Sequence, residues 1–346
     1  MKSSSTTHCL INFLDFVHSH LDKRNTSLAV TFVDFKKAFD LVEHTVVLSK
    51  VVQFGLPSHL TAWLADFLSG RQQVVRYQGT TSSSLPLSCG VPQGTKMGPL
   101  CFLILINDAL TDTPHRWKYV DDSTLATPIN TKQPDYSPLQ TTLDNLLTWT
   151  EENKVTINHN KTVVMHFCTS AQPLAQPQLS VGVHPLQVVK HFKLLGITLD
   201  DQLNWKQHVN NIIRTASFKL YMLRRLRSLG TPGKELGEVY KIFILPTLTY
   251  GSQAWSSSLN LTQKQQLERV QKRACKIILG PDYNGYDNAL STLSLSKVSQ
   301  LHQEALHKFG KKTTNSLQIP EFSTSIRSST DTSHETLQQA GAYTSP

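Results

Sequence analysis

The sequence predicts an α+β chain: an antiparallel sheet backed by helices over residues 1–200, an all-helical region over 201–282, and an extension over 283–346. Three observations predict it. Strand-like apolar runs alternate with amphipathic helical stretches through the first two hundred residues. From Trp205 onward the apolar period is helical and stays so. Beyond about Gly310 a Ser-, Thr- and Gln-rich tail holds too little apolar side chain to offset the entropy of ordering, so disorder is expected there.

The first helix is marked by Leu10, Phe13, Leu14, Val17 and Leu21, and Asp22 to Asn25 breaks it before the strand Leu28-Ala-Val-Thr-Phe-Val-Asp34. Pro57 opens a second helix with Leu60, Trp63, Leu64, Phe67 and Leu68 on one face and Gly70 as a left-handed terminator. Gln72 to Tyr77 reads as a strand. Pro99 starts a helix apolar nearly all round through Ile106, a pattern that predicts full burial beneath the sheet. Trp117 to Ala126 is an apolar-rich run interrupted by two aspartates, which predicts a hairpin with the acids at its turn. Pro128 to Pro138 reads as loop, and Leu139, Leu143, Leu146 and Leu147 as a helix. Val155–Ile157 and Thr162–Phe167 are predicted strands around the turn Asn158-His-Asn-Lys161. Ala171 to Gln178 reads as a linker, and two further strands follow, the second ending in Phe192-Lys-Leu-Leu-Gly-Ile197. In the helical region Val209, Ile212, Ile213, Ala216, Leu220 and Leu223 mark one face, stopped by Gly230 and Pro232. The last clear helix starts at the capping-box pattern Thr262-x-x-Gln265 and ends at Gly280-Pro281.

With 39% hydrophobic residues in 346, the chain can bury a proper core. A net charge of +9 favours a polyanionic partner, although any solvated basic surface gives the same total. Five cysteines without a CxxC pair read as reduced and mostly buried, and no Cys/His spacing fits a structural metal. The longest apolar run, Leu100 to Ile106, is too short to cross a bilayer, and the N-terminus lacks a secretory apolar core, so neither secretion nor a membrane partner is expected.

The chemistry rests on Asp34 at a strand end and the doublet Asp121-Asp122 at a predicted turn, with Gly90-Val-Pro-Gln-Gly94 between them in sequence. Carboxylates gathered from distant positions suit a hard divalent cation, which takes oxygen ligands and substrate phosphates. A lone Asp-Asp pair is usually a solvated turn. Here Asp34 leads into Phe35-Lys-Lys-Ala-Phe39-Asp40, and an aromatic precedes the doublet in Tyr119-Val-Asp-Asp122. In this order the motifs resemble those of reverse transcriptases of the non-LTR (LINE-type) retrotransposon class, over about Ser3 to Gly280.

The resemblance implies a right-hand polymerase palm with a remnant of fingers over 1–200 and a helical thumb-like region over 201–282. It implies an RNA-directed DNA polymerase that extends a DNA primer on an RNA template with deoxynucleotides, using two Mg²⁺ ions. Asp34, Asp121 and Asp122 would be metal ligands and catalytic residues, and Lys161 the group facing departing pyrophosphate. Phe39 would be the ring excluding a 2′-hydroxyl, with Phe35 and Tyr119 beside the substrate and Gln93 and Gly94 at the templating pair. Leu195 and Gly196 would grip the primer. Basic residues off the apolar helix faces (Arg214, Lys219, Arg224, Arg225, Arg227, Arg269, Lys272, Arg273, Lys276) would follow a duplex backbone. By analogy such a protein works in nucleus and cytoplasm. Only 33 residues precede Asp34, so the sequence is expected to be N-terminally truncated within the conserved region. The alternative reading is a catalytically silent, nucleic-acid-binding remnant.

Overall fold

The computed structural model describes residues 5–92, 94–168 and 178–315, and the chain divides into two compact units, Met1–Gln207 and His208–Pro346.

In the first unit, α1 (Thr6–Leu21) is capped by Ser5, whose hydroxyl accepts the His8 N–H. Asn25, at φ +56°, swings the chain into β1 (Thr26–Val33). Then come α2 (His44–Gln53), α3 (Ser58–Leu68), β2 (Gln72–Gln73), β3 (Arg76–Tyr77), β4 (Thr80–Thr81), β5 (Leu85–Pro86) and α4 (Met97–Ile106). The rest are β6 (Arg116–Tyr119), β7 (Asp122–Asn130), α5 (Ser137–Glu152), β8 (Val163–Phe167), β9 (Ser180–Val181), β10 (His184–Pro185), β11 (Gln187–Val188), β12 (His191–Leu194) and β13 (Ile197–Asp200).

The main sheet has the order β11-β8-β1-β7-β6 and is antiparallel apart from the β11–β8 pair. β1 is its centre and is buried along nearly its whole length. Phe13 of α1 meets Phe32 and Phe167 edge-on, each at 6.3 Å between centroids. Alternate residues of the strand face the other way. There Ala29, Val33, Leu125 and Ile129 share an apolar cluster with Cys101, Phe102, Leu105 and Ile106 of α4 and Leu139, Leu143 and Leu146 of α5.

Several elements differ from expectation. α4 is not buried all round: Leu100 and Leu103 are each 46% exposed. The run Gln72–Tyr77 breaks at Val74-Val75 and folds back through a turn at Gln78 (φ +45°) and Gly79 (φ +81°), so it forms short exposed ladders instead of one strand. The predicted loop at Pro128 is the continuation of β7, with Leu28 opposite Pro128. β6 pairs only as far as Leu125, leaving an open edge that tolerates a proline. Val155–Ile157 contributes one bridge, Phe35 to Ile157, and no strand. α2 was not anticipated, because Val46, Val47, Val51 and Val52 are β-branched and lower its helix propensity. All five cysteines are free thiols, but only Cys101 and Cys275 are buried. Most of the expected linker Ala171–Gln178 lies outside the described residues.

The second unit is helical: α6 (Lys206–Ser228, starting at the boundary), α7 (Gly233–Val239), a π-helical turn Tyr240–Ile244, α8 (Leu245–Thr249), α9 (Leu261–Leu279), α10 (Tyr286–Leu293) and α11 (Val298–Asn315). The capping box of α9 is Asn260 with Gln263, two positions before the predicted one: each side chain accepts from the other's backbone N–H at 2.9 Å. α11 continues past Gly310, where disorder was expected to begin. Several of the basic residues have structural partners: Lys272 and Lys276 lie over the rings of Tyr286 and Tyr283, at 4.9 and 5.4 Å. Arg227 donates to the carbonyls of Ile277, Ile278 and Leu279 at the end of α9, and Lys219 to Phe243 O at 2.8 Å and Thr247 Oγ1 at 2.7 Å.

Trp255, fully buried, lies edge-on between His208 and His302, with centroids at 4.9 and 5.1 Å. Burial holds the pKa of His208 down to about 4, and that of His302 below its ordinary value. A histidine whose folded pKa is depressed contributes fully above its unfolded value, near 6.5, and the contribution is lost as pH falls from there toward 4. We expect acidification through that window to cost the unit about 3 kcal/mol from His208 alone. Urea melts at pH 7.5 and pH 4 measure it, and His208→Gln should flatten the slope.

Candidate active site

β1 and β7 run antiparallel with Val33 opposite Ser123. One step further along both strands stand Asp34 and Asp122, and neighbouring strands lie about 4.8 Å apart. β6 and β7 close on Tyr119 opposite Asp122, leaving Val120 and Asp121 as a two-residue turn. Val120 has φ +57°, and such a left-handed first position is normally filled by glycine. A β-branched residue there is strained. Its side chain packs against the apolar cluster of the unit.

The backbone of Asp34 is held on its other side. Its N–H donates to Thr162 Oγ1 at 3.2 Å, its carbonyl accepts from Asn158 N–H at 2.8 Å, and Lys36 N–H donates to Thr156 O at 2.8 Å. This ties the turn Asn158–Lys161 to the strand end and brings Lys161 Nζ to 4.0 Å from Asp34 Oδ2, with 70% of the lysine side chain exposed. Thr162 was missed in the sequence; its place one residue after Lys161, at the start of an apolar strand, gave little sign of it.

Asp122 feels the other two carboxylates. Burial raises the pKa of Asp122 first, and the negative charges of Asp121 and Asp34 raise it further. Cys9 of α1 sits in the same field: burial and then Asp122 push its thiol up to about 11. Among the described residues no three His, Cys, Asp or Glu side chains are gathered closely enough to hold an ion unaided. The donor set nevertheless fits a hard divalent cation, because it is all oxygen and its mutual repulsion is relieved by positive charge, and such an ion takes its remaining ligands from water and phosphates.

The other predicted residues are placed as follows. Phe39 is partly buried on the apolar cluster with its ring 5.0 Å from that of Phe102. Phe35 is 5% exposed and lies inside that cluster. Tyr119 is half-exposed beside Asp122. Gly94 has φ +81° and open space around it; Gln93 lies outside the described residues. Gly90 N–H donates to Val42 O at 2.8 Å and Val91 N–H to Phe39 O at 2.9 Å, so the glycine-rich connector lies along the segment that follows Asp34. Leu195 (φ +46°) and Gly196 (φ +87°) are the turn between β12 and β13, not part of a strand as predicted: two consecutive left-handed residues make a tight hairpin.

Residues 2–199 match the family model described as reverse transcriptase (RNA-dependent DNA polymerase). The chain is 28% identical over 260 residues to the RNA-directed DNA polymerase from mobile element jockey of Drosophila melanogaster, covering 69% of this chain and 28% of that protein. It is 24% identical over 261 residues to the probable RNA-directed DNA polymerase from transposon X-element of the same species, 73% of this chain and 28% of that protein. The jockey polymerase of Drosophila funebris is 24% identical over 320 residues, 89% of this chain and 34% of that protein. The chain thus spans about a third or less of these relatives. Among solved structures, telomerase from Candida albicans in complex with a TWJ fragment of telomeric RNA superposes at a TM-score of 0.39 and 13% identity, over 85% of this chain and 54% of that one, too low to bear on the fold.

Proposed function

The chain belongs to the reverse transcriptase (RNA-dependent DNA polymerase) family, and on that premise we propose that it extends a DNA primer on an RNA template with deoxynucleotides. Residues 1–200 would act as the palm and 201–282 as a thumb-like region. The observation that carries this reading is the β1–β7 register, which makes neighbours of Asp34 and Asp122.

Asp34, Asp121 and Asp122 would hold two Mg²⁺ ions, which when bound clamp the attacking and leaving oxygens of an in-line displacement at phosphorus. Lys161, beside Asp34, holds its ammonium where charge develops on the departing pyrophosphate. Tyr119 flanks the acids. Phe39, braced by Phe102, presents a ring that a 2′-hydroxyl would strike. The connector with Gln93 and Gly94 lets backbone approach the templating pair, because glycine has no Cβ. The tight turn at Leu195-Gly196 presents backbone to the primer end. Arg214, Arg224, Arg225, Arg269 and Arg273 give α6 and α9 a basic surface for a duplex backbone.

The test is primer extension on an RNA template in Mg²⁺. Deoxynucleotide incorporation is expected, and Phe39→Val should raise ribonucleotide use relative to deoxynucleotide use on the order of 10²-fold. Salt-sensitive duplex binding without any extension would favour the silent nucleic-acid-binding reading.

A further inference from the structure

The strand that leads into the Asp121-Asp122 turn, β6, is an edge of the sheet, and among the described residues its ladder partner is β7. Beyond the sheet it is held at Trp117, whose Nε1 donates to Asn12 Oδ1 of α1 at 2.7 Å and whose ring meets Phe13 and Phe16 at 5.1 and 5.0 Å, and at Lys118, the polar anchor one residue before Tyr119. Lys118 Nζ donates to the carbonyls of Ile106 at 3.1 Å, Asn107 at 2.8 Å and Ala109 at 2.9 Å. Carbonyls at a helix C-terminus lack partners within the helix and carry the negative end of its dipole, so an ammonium there satisfies both needs at once. All three donors of the lysine are thereby used.

The helix so gripped is α4, and it touches the other parts of the proposed site. It begins at Met97, just after the Gly90–Gly94 connector, and Phe102 in its middle meets Phe39. As a ten-residue helix it is a rod of about 15 Å. The same C-terminal end is also tied to α2 and α5 through Asp108, which accepts from Lys50 at 2.5 Å and from Trp149 Nε1 at 3.1 Å.

We propose that Lys118 is a positioning residue, which locks the Asp121-Asp122 hairpin to the C-terminal end of α4 and so fixes the acids relative to Phe39 and the connector. The inference rests on the polymerase reading for its consequence, but the anchoring itself does not. Lys118 reaches no substrate. A one-ångström misplacement of reacting groups can cost on the order of 10²-fold in rate, which is the scale of loss expected if the hairpin loses this anchor.

The experiment compares Lys118→Met, which keeps length and apolar stem but removes every donor, with Lys118→Arg and with Lys50→Met. Two readouts are taken on the full chain: amide hydrogen exchange of residues 119–123, and primer extension as a function of Mg²⁺ and deoxynucleotide. Lys118→Met is expected to speed exchange in the hairpin by roughly tenfold, to lower kcat by on the order of 10²-fold with KM for nucleotide little changed, and to raise the Mg²⁺ needed for half-maximal rate. Lys118→Arg, still a donor, should recover most of both. Lys50→Met, which removes a partner of Asp108 but leaves every donor of Lys118 in place, should lower the melting temperature and raise the Mg²⁺ requirement less than Lys118→Met does; an equal rise would overturn the role assigned to Lys118.

Unchanged hairpin exchange in Lys118→Met overturns the proposal, whatever the activity. Loosened exchange with an unaltered kcat and Mg²⁺ response overturns its functional half. If the unmutated chain extends no primer, the failure belongs to the polymerase reading, and the exchange comparison decides the anchoring by itself.

Discussion

Converting Asp121 and Asp122 together to asparagine is expected to lower primer extension in Mg²⁺ by at least about 10³-fold, on the scale found when a group facing developing charge is removed. That loss corresponds to about 4 kcal/mol of transition-state stabilisation. The same double change should leave the melting temperature unchanged or raise it. The reason lies in the geometry: Asp34 and Asp122 end adjacent strands, and burial together with the charges of Asp121 and Asp34 already raises the pKa of Asp122. Acids that only finish a turn would behave the other way, with stability falling and chemistry untouched. Extension persisting at the unmutated rate would remove the doublet from the site.

Gly90→Ala should destabilise the first unit by about 3 kcal/mol, at the upper end of the range for local backbone strain. At φ +85° an added Cβ would stand 2.6 Å from the carbonyl oxygen of Asp40, 3.1 Å from its carbon and 3.3 Å from its Cα. These are backbone atoms and cannot swing aside. Both sides are held: Asp40 N–H donates to Lys37 O at 2.9 Å, Gly90 N–H donates to Val42 O, and His44 Nε2 lies 2.6 Å from Gly90 O. Gly94 in the same connector has nearly the same φ but nothing within 4 Å, so Gly94→Ala carries the conformational cost alone, about 1 kcal/mol. Thermal melts of the two variants side by side test the distinction. Equal losses would mean that close approach to the Asp40 segment is not what requires glycine at position 90.

Features set by short-range periodicity were legible in the sequence. The spacing of Leu10, Phe13, Leu14 and Val17 placed α1, and the apolar run interrupted by Asp121-Asp122 placed the hairpin, because an acidic pair within such a run marks a turn. Features settled by tertiary contacts were less so. Asn260-x-x-Gln263 and Thr262-x-x-Gln265 are both capping patterns, and only the entry of the chain into α9 selects the first. Leu195-Gly196 lies in an apolar stretch that reads as strand until His191–Leu194 is seen to fold back on Ile197–Asp200. The side chain of Phe35 follows Asp34 in sequence but turns into the core. Among the site residues, the order of the three aspartates was plain, whereas Thr162 meets a backbone group 128 residues away and Lys118 meets carbonyls 9 to 12 residues back across a turn, and such partners leave no mark in local pattern.

The left-handed valine at the tip of the hairpin carries one more implication. A glycine would relieve roughly 1–3 kcal/mol of local tension there, but it would also remove the side chain that Val120 lays against the apolar interior. The acids are therefore mounted on a bolted tip and not on a free-swinging one. Their alignment depends on the packing beneath them, and substitutions in that packing, well away from any carboxylate, should register at the acids first.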